Sequence, residues 1–263
     1  MMTPADVRAT KGNRRLTMLT AYDYPTALAL DQAGLDMILV GDSVAMVELG
    51  FPTTRDATLA MMAHHVHAVR TGAVNTHIVG DLPAGSYDTP AQAVASSKVL
   101  VGAGADSVKL EGPCVAEVRA IISAGIAVMG HVGLQPQTAT VYRREGTTRH
   151  EADRIAREAL QLQEIGCFAV VIEAVPADLA MRITASLRIP TIGIAAGVAT
   201  DGQVLVSSDL VGQLPFTPPF VTPKANVFDI VTRAAREFVE DVRGGATIGT
   251  TIGGVSDDWP TLA

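Results

Sequence analysis

Ile38-Leu39-Val40-Gly41-Asp42-Ser43 is the stretch whose reading decides the fold. An apolar run without alternation reads as a strand buried on both faces, the kind found in parallel sheets covered by helices. It breaks off in a glycine, a carboxylate and a hydroxyl, so polar chemistry begins where the strand stops. The same pattern recurs at Ile78-Val79-Gly80-Asp81, Ser107-Val108-Lys109-Leu110-Glu111, Ala127-Val128-Met129-Gly130-His131 and Val170-Val171-Ile172-Glu173. Titratable side chains therefore gather at one end of successive strands.

Outward from these strands, segments with helix start and stop signals fill the intervals. A strand at residues 16–21 leads through Asp23 and Pro25 into a helix that runs to Ala33 and stops at Gly34. The strand at 36–41 is followed by a helix over about 57–70 capped by Gly72, the strand at 76–80 by a helix opened by Pro90 and ended by Gly102 and Gly104. Strands at 107–111 and 126–131 flank a helix to Ala124. Residues 133–148 are polar and lack a helical period, and a loop of that length reads as a functional lid. A helix at 150–165, a strand at 168–173, a helix at 177–187 and a strand at 191–195 complete seven repeats. The eighth is the least distinct: a short strand is expected within 209–214, then an amphipathic helix over 225–242.

Sustained βα alternation predicts a single-domain (β/α)8 TIM barrel over residues 1–243, with a flexible C-terminal tail over 244–263. A doubly wound open sheet is the alternative, but no G-x-G-x-x-G follows the first strand to supply its phosphate-binding turn. Composition agrees with a buried core: 48% of the 263 residues are hydrophobic and only 18% are charged. A net charge of −7 with 4% aromatics disfavours nucleic acid and anionic membrane as partners. No apolar run reaches the roughly 18 residues of a membrane span and no secretory signal follows the basic N-terminus, so a cytoplasmic protein is expected.

In a barrel, Asp42, Asp81 and Glu111 would converge on one side of the mouth. Helix capping explains one such carboxylate; three at consecutive strand ends suggest a hard dication such as Mg2+. Lys109 lies two residues before Glu111 on the same strand face, where a buried ammonium needs a carboxylate or an anionic substrate beside it. These groups suit a 2-oxo acid whose C3 proton is made acidic while Lys109 offsets negative charge. Glu173 is the candidate general base or acid, and His131, also at a strand end, is either a catalyst or a satisfied rim residue. His64, His65 and His67 lack the partners of a zinc pattern. Cys114 lies near the rim and is either a packed thiol or a nucleophile, and Gly193 to Gly197 is either a phosphate loop or a site of close strand packing.

At Thr20-Ala21-Tyr22-Asp23-Tyr24, Leu39-Val40-Gly41-Asp42-Ser43, Asp81-Leu82-Pro83-Ala84-Gly85-Ser86-Tyr87, Val108-Lys109-Leu110-Glu111-Gly112, Gly130-His131-Val132-Gly133-Leu134 and Asp201-Gly202-Gln203-Val204-Leu205-Val206 the chain resembles the ketopantoate hydroxymethyltransferase family, a branch of the phosphoenolpyruvate mutase/isocitrate lyase-like barrels. The resemblance runs from about residue 16 to 242. It implies Mg2+ held by Asp42 and Asp81 with Glu111 assisting through water, and oxo-acid contacts from Ser43, Asp42, Asp81 and Lys109. It further implies Glu173 as acid/base and His131 on the substrate side. The reaction implied is transfer of a one-carbon unit from 5,10-methylenetetrahydrofolate to 2-oxoisovalerate, giving ketopantoate for pantothenate and coenzyme A, in a homo-oligomer that is often a decamer. Around the mouth the chain departs from the family pattern, at Val44-Ala45-Met46, at Thr54 to Thr58 and at Tyr142 to Thr148. A C–C lyase or aldolase acting on another 2-oxo acid, or a catalytically weak paralogue, are the alternatives those departures leave.

Overall fold

In the computed structural model, which describes residues 1–245, eight strands alternate with helices along the chain. The strands are β1 (Leu16–Thr20), β2 (Met37–Val40), β3 (His77–Asp81), β4 (Ser107–Lys109), β5 (Val128–Gly133), β6 (Ala169–Glu173), β7 (Thr191–Ile194) and β8 (Gly202–Leu205). All neighbours pair in parallel, and β8 pairs with β1 through Leu16↔Gly202 to Leu19↔Leu205, closing the barrel. The helices are α1 (Pro4–Ala9), α2 (Tyr24–Gln32), α3 (Val44–Val47), α4 (Leu59–Gly72), α5 (Pro90–Ala103), α6 (Val115–Ser123), α7 (Arg149–Glu164), α8 (Ala177–Ser186), α9 (Ser207–Leu210) and α10 (Val227–Arg243). The (β/α)8 fold expected from the alternation is the fold observed.

Local chemistry sets these bounds. The side chains of Asp23, Thr58, Thr89 and Thr148 accept the N–H of Thr26, Met61, Gln92 and Glu151, satisfying donors that a helix start leaves open. At the far end of α5, Gly104 takes the left-handed conformation at φ 119°, which a side chain would resist.

The described residues divide into two compact units, Met1–Ser207 and a second that begins at Ser208. The first contains the whole barrel. Two apolar clusters fill it. Ile38, Val40, Ile78, Val108, Val170 and Ile172 pack outward against the buried faces of α4 to α8, while Met18, Met37, Leu39, Val79, Met129, Val171 and Val204 pack inside the barrel. This alternation fixes orientation: two residues beyond Val79, Met129 and Val171 come Asp81, His131 and Glu173, which therefore also turn toward the barrel axis. The second unit contains α10, which begins where the Asn226 side chain accepts the Asp229 N–H.

Two expectations need correction. The eighth strand is not within 209–214: it is β8 at Gly202–Leu205, and Asp209 and Leu210 lie in α9. Gly72 does not cap α4 but is its last residue, and a Cβ there would lie 2.4 Å from the Tyr24 carbonyl, so its small size lets α4 approach α2. The short helices α1 and α3 add to the elements expected from the sequence. The expected tail, from residue 246 onward, lies outside the described residues.

Candidate active site

Asp42 lies two residues past β2, Asp81 ends β3, Lys109 ends β4 with Glu111 two residues beyond, His131 lies in β5 and Glu173 ends β6. These six, with Ser43, line one cavity of about 110 Å³ at the C-terminal ends of the strands. Sequence reading had named all seven, and the fold brings them together. Asp42, Asp81, Lys109, Glu111 and His131 are each at most 5% exposed, so their charges must be balanced by one another or by a ligand.

The hydrogen bonds show how far that balance goes. Lys109 Nζ donates to both Asp81 oxygens at 2.8 Å, and the Asp42 backbone N–H donates to Asp81 Oδ2 at 3.3 Å. Gln137 Nε2 donates to Asp42 Oδ2 at 2.8 Å and to the Leu82 carbonyl at 3.0 Å, while the Gln137 backbone N–H donates to Glu111 Oε2 at 3.0 Å. Three carboxylates thus face a single lysine.

Their acidities record the imbalance. Burial, with Asp81 adding to it, pushes Asp42 up to about 7. Burial also pushes Glu111 up to about 9, with Asp42 and Asp81 contributing and Lys109 opposing. For Lys109 burial favours the neutral amine, but Asp81, Glu111 and Asp42 outweigh it and raise its pKa, so the ammonium persists.

His131 stands between two of the acids, Nδ1 3.7 Å from Glu111 Oε1 and Nε2 3.3 Å from Glu173 Oε2. Neither nitrogen has a hydrogen-bond partner among the described residues, although both are buried. A buried imidazole with two open nitrogens has unused hydrogen-bonding capacity on the cavity side. Glu173 is more accessible, its side chain 22% exposed, which suits a group that exchanges protons with an incoming molecule. Ser43 Oγ lies 2.8 Å from Tyr22 OH on the opposite side of the mouth.

Among the described residues no three His, Cys, Asp or Glu side chains are arranged to hold a metal by themselves. The histidines of α4 form no such group, and His65 Nδ1 lies 2.6 Å from the Tyr22 carbonyl. Cys114 is a free thiol whose pKa burial raises, so it is not activated as a nucleophile. At Gly193 a Cβ would come within 2.6 Å of Thr200 Oγ1, and close packing accounts for that glycine without a phosphate. Sequence reading missed Gln137 and its neighbour Tyr87 as site residues. A glutamine in a polar loop has no hydropathy signature, and only its position six residues after His131 hinted at it.

The model of the family described as ketopantoate hydroxymethyltransferase matches residues 1–246. A protein of Acaryochloris marina named 3-methyl-2-oxobutanoate hydroxymethyltransferase is 48% identical over 238 residues, covering 88% of this chain and 92% of its own length. One of the same name from Moorella thermoacetica is 48% identical over 239 residues, covering 88% and 89%. Among solved structures, phosphoenolpyruvate phosphomutase from Streptomyces platensis superposes with a TM-score of 0.65 at 14% identity, over 94% of this chain and 89% of that one, which is a likeness of fold. With matching across nearly its whole described length and close to half its residues shared with such relatives, the chain belongs to the ketopantoate hydroxymethyltransferase family and is an enzyme of that hydroxymethyl-transferring kind.

Proposed function

We propose that the chain transfers a one-carbon unit from 5,10-methylenetetrahydrofolate to C3 of 2-oxoisovalerate, giving ketopantoate for pantothenate biosynthesis, with Mg2+ held by Asp42 and Asp81. The observation that carries this reading is the meeting in a single cavity of three buried acids, one lysine and a histidine set between Glu111 and Glu173 whose ring nitrogens make no hydrogen bond among the described residues. The residues fit the metal. Their donors are all hard oxygen, three acids stand against one lysine, and Mg2+ takes only one or two protein carboxylates, completing its shell with water and substrate. Glu111, held by the Gln137 N–H, would assist through water rather than as a direct ligand.

Bound there, Mg2+ would supply Lewis acidity to the keto oxygen of the oxo acid. The chain's own groups do the rest. Lys109, kept charged by the acids around it, offsets negative charge that develops as the C3 proton leaves. Glu173 accepts that proton and later protonates the departing amine nitrogen of the donor, and water provides the hydroxyl oxygen. The two open nitrogens of His131 orient the substrate between Glu111 and Glu173. Ser43 binds the oxo acid from across the mouth. The active form is a homo-oligomer, a reading supported by the exposed apolar stripe of α10.

The test is C3 hydrogen exchange of 2-oxoisovalerate in D2O, with and without Mg2+, followed by product formation with methylenetetrahydrofolate. Metal-dependent exchange is expected, abolished in Asp42→Ala and lowered by about 10²–10⁴-fold in Glu173→Gln. Exchange that ignores the metal, or none at all, removes the 2-oxo acid reading. Exchange without folate-dependent product removes the donor alone.

A further inference from the structure

Gln137 belongs to the polar stretch that follows β5, yet its side chain is only 4% exposed. Its polar atoms reach three separate loops, those after β2, β3 and β4. Nε2 donates to Asp42 Oδ2 after β2 and to the Leu82 carbonyl after β3; Oε1 accepts from the Tyr87 hydroxyl in the loop before α5; the backbone N–H donates to Glu111 Oε2 after β4. Every one of these contacts is non-local, and together they use both amide protons of the side chain, its carbonyl oxygen and the main-chain donor.

The orientation of the amide is also determined. A carboxylate and a carbonyl can only accept, so the Asp42 and Leu82 side must receive Nε2 and its two protons. The opposite side then presents Oε1 to Tyr87, whose hydroxyl donates. Turning the amide over would set oxygen against oxygen at two contacts. Residues next to it reinforce the placement: Thr138 and Ala139 donate their N–H groups to the Gln135 carbonyl, winding the chain into a turn centred on Gln137.

We propose that Gln137 is a positioning residue. It fixes Asp42 and Glu111 relative to each other and fastens residues 134–148 over the cavity, so the order of that stretch and the placement of the two acids are a single property. The proposal concerns the site of the function proposed above and rests on that reading for the kinetic consequence, but not for the latch itself. A side chain that orients a ligating or reacting carboxylate acts on rate without touching substrate.

The experiment compares Gln137→Ala, Gln137→Glu and Tyr87→Phe with the parent in two measurements. The first is amide hydrogen exchange of peptides covering 134–148 in the protein without added ligand. Protection is expected to fall in both Gln137 variants and to fall less in Tyr87→Phe, with β1 to β8 unchanged. The second is folate-free C3 exchange of 2-oxoisovalerate with Mg2+. Gln137→Ala is expected to lower kcat about 10- to 100-fold while KM for the oxo acid moves little. Gln137→Glu should be slower still, since it sets a fourth carboxylate against Asp42. A purely structural role would instead lower the melting temperature and shift kcat and KM together. Unchanged protection, a kcat for Gln137→Ala within about twofold of the parent where loss of an orienting contact calls for tenfold or more, or a Gln137→Glu variant as fast as the parent, overturns the proposal. If the parent itself shows no C3 exchange, the functional reading fails, and loss or retention of protection still decides the latch.

Discussion

Asp36 stands at the entry to β2 and receives the Thr17 N–H at 2.9 Å, the Thr17 hydroxyl at 3.1 Å and Arg14 Nη2 at 2.6 Å. Burial alone would raise its pKa, but the Arg14 and Thr17 donors outweigh it and hold the carboxyl below its ordinary 3.8. A lowered folded-state pKa adds stability that is present above the unfolded value and is lost as pH falls through the folded one. Asp36→Ala should therefore cost about 1–3 kcal/mol in urea unfolding at pH 7, and the gap from the parent should narrow toward pH 3. A constant gap would assign the loss to packing rather than charge. Lys109 is the harsher case, because it is the lysine set against the acids Asp81, Asp42 and Glu111. Lys109→Met should destabilise by about 3–5 kcal/mol, the range for breaking a buried pair on one side, and abolish C3 exchange. Recovery of stability in Lys109→Met carrying Asp81→Asn would confirm that the unpaired acid is the cause. Asp42, Asp81, Glu111 and Lys109 were legible in the sequence because each interrupts or ends an apolar run. Gln137 was not, since nothing local distinguishes a glutamine that reaches three other loops from one in solvent.

β1 to β7 could be read from their apolar runs to within two or three residues, and β8 could not. The reason is in its composition: Gly202-Gln203-Val204-Leu205 is four residues long, opens on glycine and carries a polar side chain, so it shows neither a buried run nor a β-branched bias. Prolines at 215, 218, 219 and 223 bar a regular element before the last helix, and the strand expected at 209–214 sits just ahead of them, where Asp209 and Leu210 instead belong to α9. What makes β8 a strand is its neighbours. Leu16 N–H donates to the Asp201 carbonyl at 2.9 Å, and the Asp201 side chain receives the Thr191 N–H at 2.8 Å and Lys11 Nζ at 2.7 Å, so the strand is clamped between β1 and β7 before it starts. Gly202 then lets the barrel close, because a Cβ there would lie 2.7 Å from the Leu16 carbonyl and 2.8 Å from Ile192 Cδ1. Gly202→Ala should cost about 1–3 kcal/mol, where an alanine in a tolerant strand would be neutral or better. Amide exchange should locate the weakening at β1, β7 and β8, and uniform weakening across the barrel would argue against this account.

A net charge of −7 keeps copies of the chain apart at long range, whereas α10 offers them a reason to meet. Phe228, Val231, Ala235, Phe238 and Val242 recur at helical spacing, with Asp229, Arg233, Arg236, Glu237 and Glu240 elsewhere on the helix. Phe228 is 41% exposed, Val231 60% and Phe238 56%, and no residue of α10 is buried. On the proposed homo-oligomeric form, this apolar stripe is the surface a second copy is expected to cover, closed assemblies of identical chains being the commonest way such stripes are covered. The two influences have opposite salt dependence. Salt screens the repulsion between acidic copies over about 10 Å at 0.1 M and leaves apolar burial intact, so association should tighten as salt is added. Light scattering on the eluting protein is expected to give a multiple of the chain mass at moderate salt. Val231→Asp with Phe238→Asp should give a smaller mass with an unchanged far-ultraviolet circular dichroism spectrum, since both side chains project from an element that buries nothing. If the doubly substituted chain keeps the parent's mass, the copies meet through another surface; if dissociation follows added salt instead, ion pairs rather than this stripe hold them.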